Sequence, residues 1–356
     1  MKRVLAIALA AGVTAMTMVG CGSSNSGNSA SSGATSVATG SSQEKASSVK
    51  EAPNAVHLTL AHADAPDGSA NGEATKAFKQ LVEEKSNGSI IIDIYPSAQL
   101  GSVSEAIASC QGGTVDFTPV STSFLSNFCP EVGVFDLPFL FDDYDHVWEA
   151  MDGKLADTLN PELEKNNLIP LIWTGFGFRN VTSSKNHMLN TVDDFKGFRI
   201  RIQPSDIQKE IFSALGADPA PIDWGELYTA LQQGTVDGEE NPYIQIYSSN
   251  IYEVNNVIYK TEHEFATACF LMSSSTKAKL TDDQYQILME CVDEYKPEWR
   301  NLVEKMNDES LQALKDKGCT FVDTLDKDAM REKTESVYDN HSEYADMVSY
   351  IRGLRQ

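Results

Sequence analysis

Three arginines stand close together in a chain that is otherwise short of positive charge. Arg179, Arg199 and Arg201 fall in one stretch of a 356-residue sequence with 28 Lys and Arg against 51 Asp and Glu, a formal net charge of −23. Arg199 and Arg201 alternate with Phe198, Ile200 and Ile202, so on a strand both guanidinium groups share one face and the apolar side chains the other. A guanidinium held on a strand can fork two parallel hydrogen bonds to a carboxylate; the competing reading is a salt-bridged edge strand. Gln203-Pro204 ends the strand at once and leaves Arg201 at its carboxyl end, where α/β folds gather ligands. That favours Arg201 over Arg199. A second polar group, Glu239-Glu240-Asn241, sits in a turn before Pro242. Glu239 and Glu240 could be offered as the carboxylate pair of a secreted carbohydrate-active enzyme, but adjacent carboxylates rarely converge on one bond. No nucleophile elbow, zinc-protease helix, phosphate loop or dinucleotide fingerprint is written, and the six histidines show no metal-ligand spacing. The sequence therefore implies no metal or cofactor. The acidic balance argues against nucleic acid as a partner.

These residues must be positioned by alternating strands and helices. Strands are expected at Val56 to Ala61, Ser89 to Pro96, Val115 to Pro119, Leu168 to Arg179 and Phe198 to Ile202. Helices are expected at Gly72 to Lys85, after a serine cap near Ser102, from His146 to Leu159, from Asp206 to Leu215, and from Asp223 to Gly234. The alternation predicts an α/β fold with mostly parallel strands. From Thr281 to Lys317 the pattern is helical, with a kink or break expected at Pro297. One phrase occurs twice. Glu105 leads to Gly113-Thr114-Val115-Asp116, and Glu226 leads to Gly234-Thr235-Val236-Asp237 with the same spacing. Each copy reads as helix, glycine stop and strand entry, which a two-lobed protein with one such unit per lobe explains. Besides Cys21, five cysteines remain: Cys110, Cys129, Cys269, Cys291 and Cys319. They read as free thiols, with Cys291 and Cys319 the one pair worth checking.

The start of the chain reads as an address. Lys2 and Arg3 precede a short apolar run to Val19, and Gly20-Cys21 follows. This has the form of a lipoprotein leader (residues 1–21) with Cys21 as the lipid-attachment site. Residues 22–53 are mostly Ser, Gly, Asn, Ala and Thr, a composition that buries too little apolar surface to order itself and reads as a tether. A long tether on a lipid-anchored body points to a Gram-positive cell surface, with the lipid as the sole membrane attachment.

"YPSAQLGS", "LPFLFDD", "FKGFRIRIQPS", "LGADPAPIDWGELYTALQQGTVDGEENP" and "YEVNNVIYKTEH" together resemble the solute-binding receptors of tripartite ATP-independent periplasmic (TRAP) transporters, the C4-dicarboxylate-binding class, over about His57 to Arg355. The resemblance implies a two-lobed, periplasmic-binding-protein-like α/β fold with a ligand cleft between the lobes and a long helix spanning both. Residues 54–177 plus 267–306 would form one lobe, and 178–266 plus 307–356 the other. It implies a monomeric receptor, not an enzyme, that captures an organic acid, a sugar acid such as a hexuronate or a C4 dicarboxylate, and hands it to integral-membrane TRAP transporter subunits. The rival partner is a membrane kinase that senses the closed form. On the family's pattern the carboxylate-binding arginine falls on Arg201, a second arginine on Arg179, and the polar turn on Asn241 with Glu240 beside it. Ser121 stands where sialate-binding members carry Glu, which disfavours sialate. His62 is a candidate for reading hydroxyl groups, Phe178 and Tyr243 are candidates for the cleft wall, and Glu239 is expected to face solvent.

Overall fold

The computed structural model describes residues 49–355; the leader, Cys21 and most of the tether lie outside the described residues. Among the described residues eleven strands form two sheets. The first runs β2 (Ile90–Tyr95), β1 (Val56–Ala61), β3 (Phe117–Ser121), β10 (Phe265–Ser273), β4 (Leu168–Phe178). The second runs β11 (Thr320–Val322), β9 (Val257–Tyr259), β5 (Asn180–Ser183), β8 (Gly238–Asn241), β6 (Arg199–Ile202), β7 (Asp218–Pro221). Among the described residues no helix is long and apolar enough to cross a membrane. The end of the expected tether is already fastened to the body, since the Ala52 amide donates to the Gly88 carbonyl at 3.0 Å.

The chain passes between the sheets at three places, and these crossings dictate strand direction. Arg179 alone separates β4 from β5, and 260–264 return the chain from β9 to β10. The two crossings pair, with the Arg179 amide donating to Glu264 O at 2.8 Å. Because β10 re-enters the first sheet from the crossing that β4 leaves by, it runs antiparallel to β4 and to β3. For the same reason β5 runs antiparallel to β8 and β9. The sheets are therefore mixed, where alternation alone predicted mostly parallel strands. The parallel members, β1 with β3 and β6 with β8, all end on the side of the crossings.

The third crossing is the helix Asp282–Asp316, which Pro297 does not break. Its Leu288, Tyr295, Trp299 and Val303 pack in the core under the first sheet, with Phe78, Phe117 and Phe270. Its Leu314 packs in the core under the second, with Leu227 and Ile258. Burial on both sides of the proline outweighs the one backbone hydrogen bond that proline forfeits. The helix expected from His146 to Leu159 is two, Tyr144–Asp152 and Lys154–Lys165, parted at Gly153. A Cβ at Gly153 would sit 2.1 Å from the Tyr350 hydroxyl, a close approach that only glycine allows. All five cysteines of the body are free thiols; Cys291 is buried in the core under the first sheet and Cys319 lies at the edge of the core under the second.

The doubled phrase is a doubled clamp. Asp116 enters β3 and grips its neighbour β1: its amide donates to Thr59 O at 2.9 Å and its Oδ2 accepts from Thr59 N at 2.9 Å. Asp237 enters β8 and grips β6 in the same way, donating to Arg199 O at 2.7 Å and accepting from Arg199 N at 3.1 Å. Each aspartate also holds a cation, Lys279 in one copy and Arg199 in the other. Gly113 and Gly234 stop the preceding helices at φ +81° and +68°, the left-handed turn that needs glycine.

Candidate functional site

The two clamped strand pairs present their carboxyl ends to one cleft. From the first sheet come His62, just beyond β1, and Thr118 and Ser121 of β3; from the second come Gln203, just beyond β6, and Asn241 at the end of β8. Trp224 and Phe176 add aromatic surface.

Strand β6 separates its two arginines by depth. Arg199 is exposed and pairs with Asp237. Arg201, toward the cleft end, is fully buried. Its Nε donates to Ile222 O at 2.9 Å, and its guanidinium carbon lies 5.9 Å from the centroid of the Trp224 ring. Nη1 and Nη2 are buried and make no hydrogen bond among the described residues. Burial, with Arg179 as a neighbouring cation, lowers its pKa to about 10, so it stays charged at neutral pH. A cation with one edge fastened and the forked edge free of protein acceptors is built to receive a carboxylate.

Arg179, in the crossing between the sheets, is fully buried and lines the cleft. Its Nε bonds the Glu240 carboxylate, and its Nη2 donates to Glu240 Oε1 at 2.6 Å and Glu240 O at 2.7 Å. Burial opposes ionisation of Glu240, but Arg179 outweighs it and holds the carboxyl at about 2. His263 Nε2 lies 3.2 Å from the same carboxylate, and burial keeps that ring below its ordinary pKa. Behind them Glu264 and Asp136 are buried, Glu264 accepting from Gln208 at 3.0 Å and Asp136 from Ser205 at 2.6 Å and Ser123 at 2.9 Å. Burial raises both, Asp136 to about 6. The site thus rests on a buried ionic layer of which Arg179 faces the cleft.

Of the expected site residues, the structure brings Arg179, Asn241, His62 and Ser121 to the cleft wall; Arg201 is set behind it, its guanidinium carbon 5.9 Å from the ring of Trp224, which does line the cleft. Ser121 Oγ accepts from Gln203 Nε2 at 2.9 Å. Both ring nitrogens of His62 are buried without a partner among the described residues, and burial lowers its pKa. Glu240 does not line the cleft: it is the counter-ion of Arg179. Phe178 and Tyr243 line a separate groove with Tyr144, Asn307 and Phe321. Adjacency in sequence misplaced all three, because neighbours along β4, β8 and the turn after β8 point to opposite sides. Glu239 is fully buried rather than solvent-facing. Its carboxylate accepts from Thr182 Oγ1 at 2.6 Å and from Asn241 Nδ2, and burial raises its pKa to about 7. Asp64, Asn71, Gln203 and Gln245 also line the cleft and were missed. Asp64 and Asn71 sit in a polar loop and a helix start with no periodic signal, and Gln203 and Gln245 are polar residues buried only by the approach of the other sheet.

Comparison with known proteins adds the following. The model of the bacterial extracellular solute-binding proteins, family 7, matches residues 60–344. A C4-dicarboxylate-binding protein of Bacillus subtilis is 35% identical, covering 68% of this chain and 69% of that protein. A TRAP periplasmic solute-binding protein from Polaromonas, solved with D-erythronate, is 30% identical with a TM-score of 0.80, covering 85% of this chain and 99% of the other. One from Chromohalobacter salexigens, solved with D-glucuronate, is 28% identical with a TM-score of 0.79, covering 84% and 100%.

Proposed function

This chain belongs to family 7 of the bacterial extracellular solute-binding proteins, and from that premise we propose that Arg201 is the anchor by which it captures a carboxylate ligand. The family consists of extracytoplasmic receptors of TRAP transporters, two-lobed and not catalytic; its relatives bind sugar acids and C4 dicarboxylates. The observation that carries the assignment is the buried guanidinium of Arg201, fastened through Nε and with Nη1 and Nη2 free of protein acceptors. A carboxylate placed there gains two charge-assisted bonds in a site from which water is largely removed. Arg179 lines the cleft with Nη1 outside its ion pair with Glu240, a second donor for the ligand. Residues 54–177 plus 267–306 form one lobe and 178–266 plus 307–356 the other, and the ligand stabilises their closed arrangement.

The body is held to the outer face of a Gram-positive cell membrane by a lipid on Cys21 and acts as a monomer. It delivers its ligand to the integral-membrane subunits of a TRAP transporter. What supports the anchor is the leader pattern ending at Cys21 and the tether composition; metabolic labelling with a fatty acid, lost in Cys21→Ala, tests it. The ligand class is tested by thermal shift with hexuronates, aldonates, C4 dicarboxylates, keto acids, sialate and neutral sugars. A ligand at about 100 times its dissociation constant adds roughly 2.7 kcal/mol. A shift with acids that disappears in Arg201→Ala supports the reading. Shifts with neutral sugars alone, or shifts that survive the substitution, overturn it.

A further inference from the structure

The amide groups that carboxylates hold in the cleft are turned to accept hydrogen bonds. Asp64 follows β1 and is buried in the wall. Its Oδ2 accepts from Asn71 Nδ2 at 2.6 Å, and its Oδ1 accepts from Gln245 Nε2 at 3.4 Å. A carboxylate only accepts, so it dictates which way each amide lies. The NH2 groups turn to Asp64, and the carbonyl oxygens turn away from it. Gln245 Oε1 is buried with no donor among the described residues. At Asn241 the arrangement recurs: Nδ2 donates to the Glu239 carboxylate, and Oδ1 has no hydrogen bond among the described residues. Asp64 comes from the first sheet's side, whereas Gln245 belongs to the helix Tyr243–Ser248 after β8, so this contact joins the walls of the cleft.

We propose that the cleft selects a monocarboxylate carrying hydroxyl groups and rejects a dicarboxylate, with Asp64 as the specificity-determining residue. This rests on the assignment of Arg201 as the carboxylate anchor and narrows it. One carboxylate meets Arg201. The rest of the ligand then faces carbonyl oxygens that need donors, which hydroxyl groups supply and methylene groups do not. A second carboxylate supplies no donor and meets the charge of Asp64 in a buried setting, where like charges cost several kcal/mol. Asp64 thus acts in two ways, by orienting Asn71 and Gln245 and by repelling an anion.

The test compares hydroxy acids with a dicarboxylate, erythronate and succinate being matched in length. Affinities for D-erythronate, D-glucuronate and succinate are measured by calorimetry at pH 8, where Glu239 is ionised, on the purified protein and on Asp64→Asn, Gln245→Met and Arg201→Ala. The expected result is that the wild type binds at least one hydroxy acid about 100-fold or more tighter than succinate. Asp64→Asn should narrow that ratio by about 10-fold or more, a change in selectivity that a purely structural role would not produce. Gln245→Met should weaken the hydroxy acid and leave succinate unchanged, and it decides the matter if Asp64→Asn does not fold. Succinate binding as tight as the hydroxy acids, or a ratio indifferent to both substitutions, overturns the proposal while leaving the anchor intact. Binding that persists in Arg201→Ala, or no acid bound by the wild type, overturns the anchor and this proposal with it.

Discussion

Replacing Arg201 with methionine is expected to stabilise the unliganded protein while abolishing acid binding, two effects of opposite sign from one side chain. Burial brings the arginine well below its ordinary pKa, to about 10, which corresponds to about 3 kcal/mol for holding the charge inside the protein at neutral pH. Methionine fills similar space without that cost. It forfeits the bond from Nε to Ile222 O and the contact with the Trp224 ring, together worth about 1–2 kcal/mol. The net gain is about 1–2 kcal/mol, which for a body of roughly 300 residues raises the melting temperature by about 2–3 °C. Loss of the carboxylate partner should cost about 2–5 kcal/mol of binding, roughly a 30- to several-thousand-fold fall in affinity. Circular-dichroism melts without ligand measure the first effect and calorimetric titration the second. A variant that melts several degrees below wild type without ligand, and still binds the acid, would refute the reasoning on both counts. It would mean that Arg201 serves the fold and that the anchor lies elsewhere.

Three further outcomes follow from the buried layer and the crossing. Glu239→Gln should melt above wild type at pH 8, by about 1–3 kcal/mol. The advantage should fade as pH falls and vanish near the ordinary glutamate pKa, because a carboxyl raised to about 7 by burial costs stability only while it is ionised; a difference independent of pH in a melt series would sink this. Glu240→Ala leaves Arg179 buried without its counter-ion and should cost about 3–5 kcal/mol in urea unfolding, whereas a loss below about 1 kcal/mol would show that the ionic layer is hydrated. Gly177→Ala should cost about 1–3 kcal/mol, since Gly177 has φ +112° and a Cβ there would sit 2.8 Å from Asn307 Nδ2 and 2.9 Å from the Tyr144 hydroxyl; unchanged melting would mean that the crossing is soft.

Much of the fold is local and was legible for that reason. Hydrophobic alternation marked β1 and β6, the closing Pro96 marked β2, the serine cap at Ser102 marked a helix start, and Gly113 and Gly234 marked helix stops. The repeated Gly-Thr-Val-Asp phrase carried its own explanation once each aspartate was seen gripping the neighbouring strand. Strand direction was not legible, because β10 owes its direction to the pairing of residues 260–264 with the Arg179 crossing, far away in sequence. The unbroken helix through Pro297 was hidden likewise, since the burial that holds it comes from both sheets.

The sequence by itself determined that an acidic body carries an arginine at the carboxyl end of a strand and a polar turn at the end of another, because side-chain period and strand ends are properties of a few consecutive residues. It also placed Arg201 above Arg199. Only the tertiary structure decided which polar residues meet the cleft. Glu240 and Asn241 are neighbours in the chain, yet one neutralises Arg179 from behind while the other lines the wall. Asp64 and Gln245 are remote in the chain, yet they hydrogen-bond across the cleft. The reason is that charge, burial and hydrogen-bond polarity at a site depend on what the opposite sheet brings to it, and no run of residues along one strand contains that information.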